Sequence, residues 1–456
     1  GYMMTLVDGA DTQLVVGDHE AFARSLDIIT SEVSFDRDVS VSTFEATIRV
    51  LGGLLSAHYL VTEPVLRPAI LRAAANSTLD ASPVDTRRRW ARELKGLAAD
   101  LGARLLPAFR TPTSIPAHRV NLRRGLLNDE SRETCAAAAG TMLLEFARLS
   151  RLTGDRRYAQ KAREAVDALW RRRSARTDLV GSTICAKTGR WLSPGTGIGA
   201  GVDSFYEYLL KGYLVFGRPE LYDMWNASYA AVQAHLRHGP WYGEANMNQG
   251  KLLTASFGSL QAFWPALQVL VGDIGEAAQT HSAFHALWQR FKVLPERYDV
   301  HRAALHGSMV GYPLRPELAE SCYALYQATG EAQYLRMGAE MVASLNAHAR
   351  TKHGFASIRS VVDMRVDDHM TSFFLAETLK YLYLLFDEDN FLNVHAASFV
   401  FTTEGHLLPL KTLFSSLLLL YMGLSSADGL YPWYAKYFGV KVDSAFQNSA
   451  GTRYCN

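Results

Sequence analysis

Apolar positions recur at helical spacing along almost the whole chain and are broken at regular intervals by a glycine. Each break has the same form: an apolar helix end, a glycine, usually an acid, then an aromatic that opens the next helix. It occurs in VVGDHEAF (15–22), LTGDRRYA (152–159), VFGRPELY (215–222), LVGDIGEA (270–277) and ATGEAQYL (328–335). Glycine supplies a left-handed helix stop, and the acid caps the helix that follows. From Gly154 to Gly330 the breaks lie about 55–65 residues apart, the length of two ordinary helices with their connections. Weaker equivalents sit at VTEP (61–64) and FDEDN (386–390), which gives about seven helical pairs. Alternating strand patterns are sparse and fall mainly in HGFASIRSVVD (353–363) and ASFVFTTEGH (397–406). Helical pairs without a central sheet make either an open solenoid or a closed α/α barrel. Glycines and aromatics crowded at the helix starts favour a closed ring around a lined cavity.

Composition narrows the class. The chain has 456 residues, 48% hydrophobic and 20% charged, enough for a large core and against long disorder. A net charge of +2 with interleaved signs excludes the concentrated basic face of a nucleic-acid binder. The arginine-rich stretches DTRRRWARELK (85–95) and WRRRSARTD (170–178) read as solvated helix faces. The longest apolar run, LFSSLLLLYMGL (413–424), is shorter than the roughly 18–20 residues of a membrane span and reads as a buried helix. Cys135, Cys185, Cys322 and Cys455 lack metal-ligand spacing, so zinc is not indicated. Sequons at Asn76 and Asn226 lean towards the secretory pathway. The opening, GYMMTLVDGADT, reads like the interior of a domain, so the natural N-terminus is expected upstream.

The candidate chemistry lies in carboxylates on otherwise apolar helices. In VSTFEATIRVLGGLLSAHYL (41–60), Glu45 and Arg49 share a helix face. Ser42 and Glu45 match a capping box, whereas the apolar neighbours Phe44, Ile48, Val50 and Leu51 would partly bury Glu45, and a buried acid holds its proton as a general acid requires. GTGIGAGVDSFYEYLLKGYL (195–214) has neither the strand nor the lysine of a phosphate loop. Asp203 there is either a helix cap or, with Glu207, faces a ligand that the glycines let approach. In YPLRPELAES (312–321), Glu317 and Glu320 either offset a helix dipole or, for Glu317, use it to stay ionised as a catalytic base. MTSFFLAETLKYLYLLF (370–386) is apolar all round, and its Glu377 and Lys380 form a surface pair unless the carboxylate is buried and needs a partner. FTTEGH (401–406) offers Thr402, Thr403, Glu404 and His406, either as a polar strand edge or as a site where threonine hydroxyl and carbonyl oxygens bind a hard cation such as calcium.

Together these stretches resemble the class I α-mannosidases, glycoside hydrolase family 47, and within them the ER degradation-enhancing α-mannosidase-like (EDEM) branch. The similarity runs from TLVDGADTQLVVGD through FEATIRVLGGLLSAHYL, GTMLLEFARLSRLTGD, DSFYEYLLKGYLVFG, SLQAFWPALQVLVGD, YPLRPELAESCYALYQATG and SFFLAETLKYLYLLFDEDN to FTTEGH, residues 5–406. It implies an all-α fold, an (α/α)7 barrel closed at one end by a small β-hairpin. Residues 1–410 would be the catalytic domain and 411–456 a C-terminal extension that resembles little.

The resemblance further implies calcium-dependent, inverting hydrolysis of α1,2-linked mannose from high-mannose N-glycans on misfolded glycoproteins, marking them for degradation from the endoplasmic reticulum lumen. A protein disulfide isomerase is the implied partner, with no nucleic acid and no transmembrane segment in this chain. By the same resemblance Glu45 is the general acid with Arg49 as companion, Asp203 a second acid acting through water, and Glu317 the base. Glu207, Arg315, Glu320, Phe373, Glu377 and Glu404 bind substrate, and Thr403 holds Ca2+ through its hydroxyl and carbonyl. Thr371 stands where the family has a glutamate, implying a lost contact near the barrel floor. A cysteine-bearing N-terminal segment is absent, so Cys455 either lacks its partner or bridges to another protein. Two rival readings are a mannose-binding lectin or client adaptor with little turnover, and a helical scaffold without a site.

Overall fold

The computed structural model describes residues 2–128 and 130–410. Thirteen principal helices alternate between two concentric layers. The inner ring is formed by α1 (Met4–Val15), α3 (Thr43–Glu45, Ala46–Leu51 and Gly52–Thr62 run together), α5 (Leu143–Thr153, after the turn Ala136–Gly140), α7 (Asp203–Phe216), α9 (Trp264–Leu270, after the 3-10 turn Ser259–Phe263), α11 (Glu317–Thr329) and α13 (Leu379–Phe386, after Phe374–Thr378). The outer layer is α2 (His19–Glu32), α4 (Pro83–Leu105), α6 (Arg157–Trp170), α8 (Pro219–His235), α10 (Ile274–Phe291) and α12 (Ala332–His348). Burial separates the layers. Every residue from Ser204 to Val215 of α7 is buried, whereas α6 buries one face through Tyr158, Ala162, Ala165, Val166 and Leu169. The ring closes where α13 meets α1: Lys380 Nζ lies 2.9 Å from Asp11 Oδ1, and Asn390 Nδ2 donates to the Val15 carbonyl at 2.9 Å.

The glycine breaks are the short turns from inner to outer helix. Gly17, Gly154, Gly217, Gly272 and Gly330 all have φ between +62° and +83°, a region that L side chains avoid. The predicted acid cap forms at two of them: Asp18 accepts from the Ala21 amide and Asp155 from the Arg157 amide. Asp273 is engaged by the Tyr229 hydroxyl instead. These turns share one end, the floor. The longer outer-to-inner connections form the opposite end, the mouth, and carry seven of the eight small sheets among the described residues. Their strands are more numerous than the alternation pattern predicts, because pieces of two to four residues are too short to show a period.

The expected hairpin is present. Strands β1 (Phe399–Phe401) and β2 (Leu407–Pro409) pair antiparallel, with Val400 opposite Leu408. Coming from the floor end, the hairpin drives its turn, 402–406, into the ring. Phe401 packs against Tyr323 and Tyr381, and the Leu407 amide donates to Ser56 Oγ of α3 at 3.0 Å.

Inner helices run from mouth to floor, so Thr371, just before α13, lies at the mouth; this corrects its expected place near the floor. Its hydroxyl donates to the Pro313 carbonyl at 3.1 Å. On the outside of α13, Tyr383 and Phe386 stay exposed beside Val342 and Leu345 of α12, lining an apolar groove. Asn76 and Asn226 are exposed. Cys135, Cys185 and Cys322 are free thiols. Among the described residues no helix is long and apolar enough to cross a membrane. The apolar run 413–424, the extension 411–456 and Cys455 lie outside the described residues.

Candidate active site

Two of the three carboxylates expected to do acid–base work begin inner helices, and the third ends the first turn of one. Asp203 is the first residue of α7 and Glu317 the first of α11, while Glu45 closes the opening turn of α3. Ser42 Oγ accepts from the Glu45 amide at 3.3 Å, but the Glu45 carboxylate does not return the bond. It pairs with Arg49, and its side chain is 44% exposed. Glu45 is thus partly buried, as its apolar neighbours suggest. A π-helical turn over Ala46–Leu51 carries Arg49, and a second over Phe374–Thr378 carries Glu377. Such turns are uncommon and often mark functional sites.

Arg49 is a hub. Its guanidinium binds Ser372 Oγ at 2.9 Å, lies 3.2 Å from Glu404 Oε1, and sits 5.2 Å from the centre of the Phe373 ring. Arg315 approaches the same ring at 5.5 Å, so Phe373 lies between two cations. Glu296 fixes Arg315 from behind with two bonds of 2.9 Å. Leu314, next to Arg315, is buried with φ 65°, a strained conformation for leucine, and its carbonyl is held by Thr378 Oγ1 at 2.8 Å.

Around these cations the carboxylates crowd one another. Burial pushes Glu317 up to about 7 against the pull of Arg315, with Glu296 and Asp203 adding to the rise. The helix start therefore does not keep Glu317 ionised as expected: desolvation outweighs the dipole. Burial likewise pushes Asp203 up to about 7 against the Ser204 amide, and Glu207 adds to it. Asp203 is no N-cap; its Oδ1 accepts from the next residue's amide at 2.8 Å. Glu320 is driven up to about 8 by burial despite Lys211, which pairs with Glu207. Glu377 and Glu404 are held well above the usual carboxylate range, by burial first and then by neighbouring acids. Lys380 does not pair with Glu377; it is fully buried and bound to Asp11, so the surface pair does not form.

Contacts and charge interactions link Glu45, Arg49, Asp203, Glu207, Arg315, Glu317, Glu320, Phe373, Glu377 and Glu404 into one connected network. Thr403 is at the tip of the hairpin that enters the ring, its amide 3.4 Å from the Tyr208 hydroxyl. Glu317 Oε2, Glu404 Oε1 and Asp8 Oδ2 are buried without a hydrogen-bond partner. A cavity of about 370 Å³ at the mouth is bounded by Arg315, Glu296, Arg297, Glu244, Met309 and Gly195, Gly197 and Gly199, so the glycine run does bring backbone to a cavity wall.

Sequence reasoning missed several members. Asp8 and Asp11 are fully buried on α1, and Glu145 is buried on α5, pushed up to about 8 by burial and bonded by the Tyr208 hydroxyl at 2.6 Å. The signal was the one that exposed Glu377: an acid inside an apolar helical run, here TLVDGADTQLV and GTMLLEFARL. Glu296 sits in a connection and carries no such pattern.

Comparisons with known proteins agree with this geometry. The family model for glycosyl hydrolase family 47 matches residues 1–410. Alpha-mannosidase I MNS5 of Arabidopsis thaliana is 47% identical over 89% of this chain and 67% of its own length. ER degradation-enhancing alpha-mannosidase-like protein 2 of Homo sapiens is 40% identical over 87% of this chain and 66% of its own. Protein 1 of that name in Schizosaccharomyces pombe is 40% identical over 90% of this chain, which spans half of it. The solved alpha-1,2-mannosidase from Trichoderma reesei superposes with a TM-score of 0.78 at 25% identity, over 90% of this chain and 91% of that one. The chain thus spans about half to two thirds of the length of the curated relatives compared. A two-layer helical ring plugged by a hairpin, lined with acids and matched by the family model over its whole described length, belongs to glycosyl hydrolase family 47.

Proposed function

We propose that this chain is a calcium-dependent, inverting α1,2-mannosidase that trims high-mannose N-glycans on misfolded glycoproteins in the endoplasmic reticulum lumen. A protein disulfide isomerase is its proposed partner. The observation that carries the reading is the pair Asp203 and Glu317. Both are raised to about 7, chiefly by burial; Asp203 adds to the rise at Glu317, and Arg315 opposes the rise at both. Two carboxyls with values near neutrality can supply both a proton donor and a proton acceptor in that range. Inversion needs that arrangement: one carboxyl protonates the leaving oxygen while the other takes a proton from water on the opposite face. Glu317 is the proposed base, and Asp203 the proposed donor acting through water. Glu45, held by Arg49 at the mouth, is the proposed general acid, with Asp203 the second acid. Arg315 and Arg49, spaced by Phe373, would orient the sugar.

The residues present fit a hard cation. Among the described residues no three His, Cys, Asp or Glu side chains converge to cage a metal. The Thr403 oxygens are engaged by no hydrogen bond there. Thr403 would therefore supply the protein ligands for calcium, whose remaining positions take water and sugar hydroxyls. Bound there, calcium supplies charge that polarises water and holds sugar hydroxyls. The test is proton NMR of mannose released in the first minutes: the β-anomer is expected, and release of the α-anomer would remove the inverting assignment.

A further inference from the structure

The hairpin turn is held by an ion cluster that the acid–base chemistry does not use. His406 Nδ1 lies 2.8 Å from Asp11 Oδ2, and Nε2 lies 3.1 Å from Asp8 Oδ1. Lys380 Nζ lies 2.9 Å from Asp11 Oδ1 and donates to the Gly405 carbonyl at 2.5 Å. Ser56 Oγ donates to Asp11 Oδ2 at 2.7 Å and accepts from the Leu407 amide. Asp8, Asp11, Lys380 and His406 are all fully buried. Two glycines make room: a Cβ on Gly52 would stand 2.9 Å from His406 Cδ2, and one on Gly405, whose φ is +66°, 3.0 Å from Glu377 Cγ.

The cluster joins α1, α3, α13 and the hairpin. Burying four charges is no efficient source of stability, since apolar packing of the same volume does as well. What the cluster supplies is position. Its bonds end on Gly405, His406 and Leu407, and Thr402 Oγ1 and carbonyl accept from the His406 and Gly405 amides at 3.1 and 3.0 Å. Within 402–406 only Thr403 escapes burial.

We propose that the buried Asp8–His406–Asp11–Lys380 cluster is a clamp that sets the 402–406 turn so that Thr403 offers its oxygens to a hard divalent cation, making His406 a positioning residue for that site. The proposal rests on the cation reading of Thr403. Burial opposes a charge on His406, but Asp11 and Asp8 overcome it and lift the imidazole to about 9, so the clamp is charged at neutral pH.

The test combines two measurements on the full chain and on His406→Gln and Asp8→Asn variants: amide hydrogen exchange without metal, and calorimetric titration with calcium chloride. His406→Gln is expected to speed exchange of residues 402–406 while leaving α7 and α11 unchanged. It should also weaken calcium binding by roughly 10–100-fold, the usual cost of losing a group that orients a metal ligand. Asp8→Asn, which keeps a hydrogen-bond acceptor, should shift both in the same direction by less, and it carries the test alone if His406→Gln fails to fold. Unchanged exchange in the turn, or faster exchange with unchanged calcium affinity, would overturn the clamp. Faster exchange alongside a wild-type chain that binds no calcium would remove the cation reading and keep only the turn's support.

Discussion

Arg49 Nη1 lies 3.2 Å from Glu404 Oε1, joining the helix that bears Glu45 to the hairpin that bears Thr403. Burial and Asp8 already hold Glu404 well above the usual carboxylate range, and Arg49 is its first counterweight. Arg49→Leu should therefore cost about 3 kcal/mol in urea unfolding, the lower end for breaking a buried pair, because Glu404 can take up a proton. The folded variant would hold that proton to higher pH than the unfolded chain. Its deficit should thus be larger at pH 8 than at pH 6.

Glu317→Gln separates chemistry from stability. Burial favours the neutral form of Glu317, so a neutral amide of equal size fits the site as well. The thermal midpoint at pH 7 should be unchanged or slightly raised, while mannose release falls about 10³-fold. Circular-dichroism melting and release assays on the same preparation check both. A lower midpoint with retained release would reverse the assignment.

Stability of the calcium-free protein should fall as pH rises from 5 to 9. Asp203, Glu317, Glu145 and Glu320 have folded values of about 7, 7, 8 and 8, above those of unfolded chains. The folded state thus keeps protons that the unfolded state has lost, and stability drops from about pH 4 until these groups ionise. His406, raised to about 9, adds stability that is complete below about 6.5 and lost as pH passes 9. A fall of at least about 5 °C in midpoint is expected, offset by calcium through a stabilisation that grows with the logarithm of its concentration. Differential scanning calorimetry across this range, with and without calcium, checks the sign.

Thr371, standing where the family has a glutamate, is the sequence feature that favours a binding-only protein. At the mouth its hydroxyl makes a single bond to Pro313, so Thr371→Val should cost about 1 kcal/mol by urea unfolding. Thr371→Glu should release mannose at a rate similar to wild type. Release by the Thr371→Glu variant alone, with none from the wild-type chain, would favour the adaptor reading.

The helical ring was legible because glycine and hydrophobic period are local signals, and each turn glycine has the predicted backbone. Charges were harder. Glu377 and Lys380 are three residues apart, so a pair between them was the local reading, yet Lys380 binds Asp11 from the far end of the chain. The hub at Arg49 and the brace of Arg315 by Glu296 depend on ring closure, which no sequence window contains. Desolvation is equally non-local: at Glu317 it outweighs the helix start, and the carboxyl rises despite Arg315.

The central claim is hydrolysis of mannose at a cation-dependent site, and the glycans of a treated glycoprotein test it directly. A misfolded glycoprotein of defined high-mannose structure would be incubated with the chain alone, with calcium, with calcium chelated, and with a protein disulfide isomerase added, and its glycans weighed by mass spectrometry. Stepwise loss of single hexoses with calcium, abolished by chelation and by Glu317→Gln, is the predicted result. Glycans of unchanged mass under every condition, while the chain still binds the glycoprotein, would contradict it.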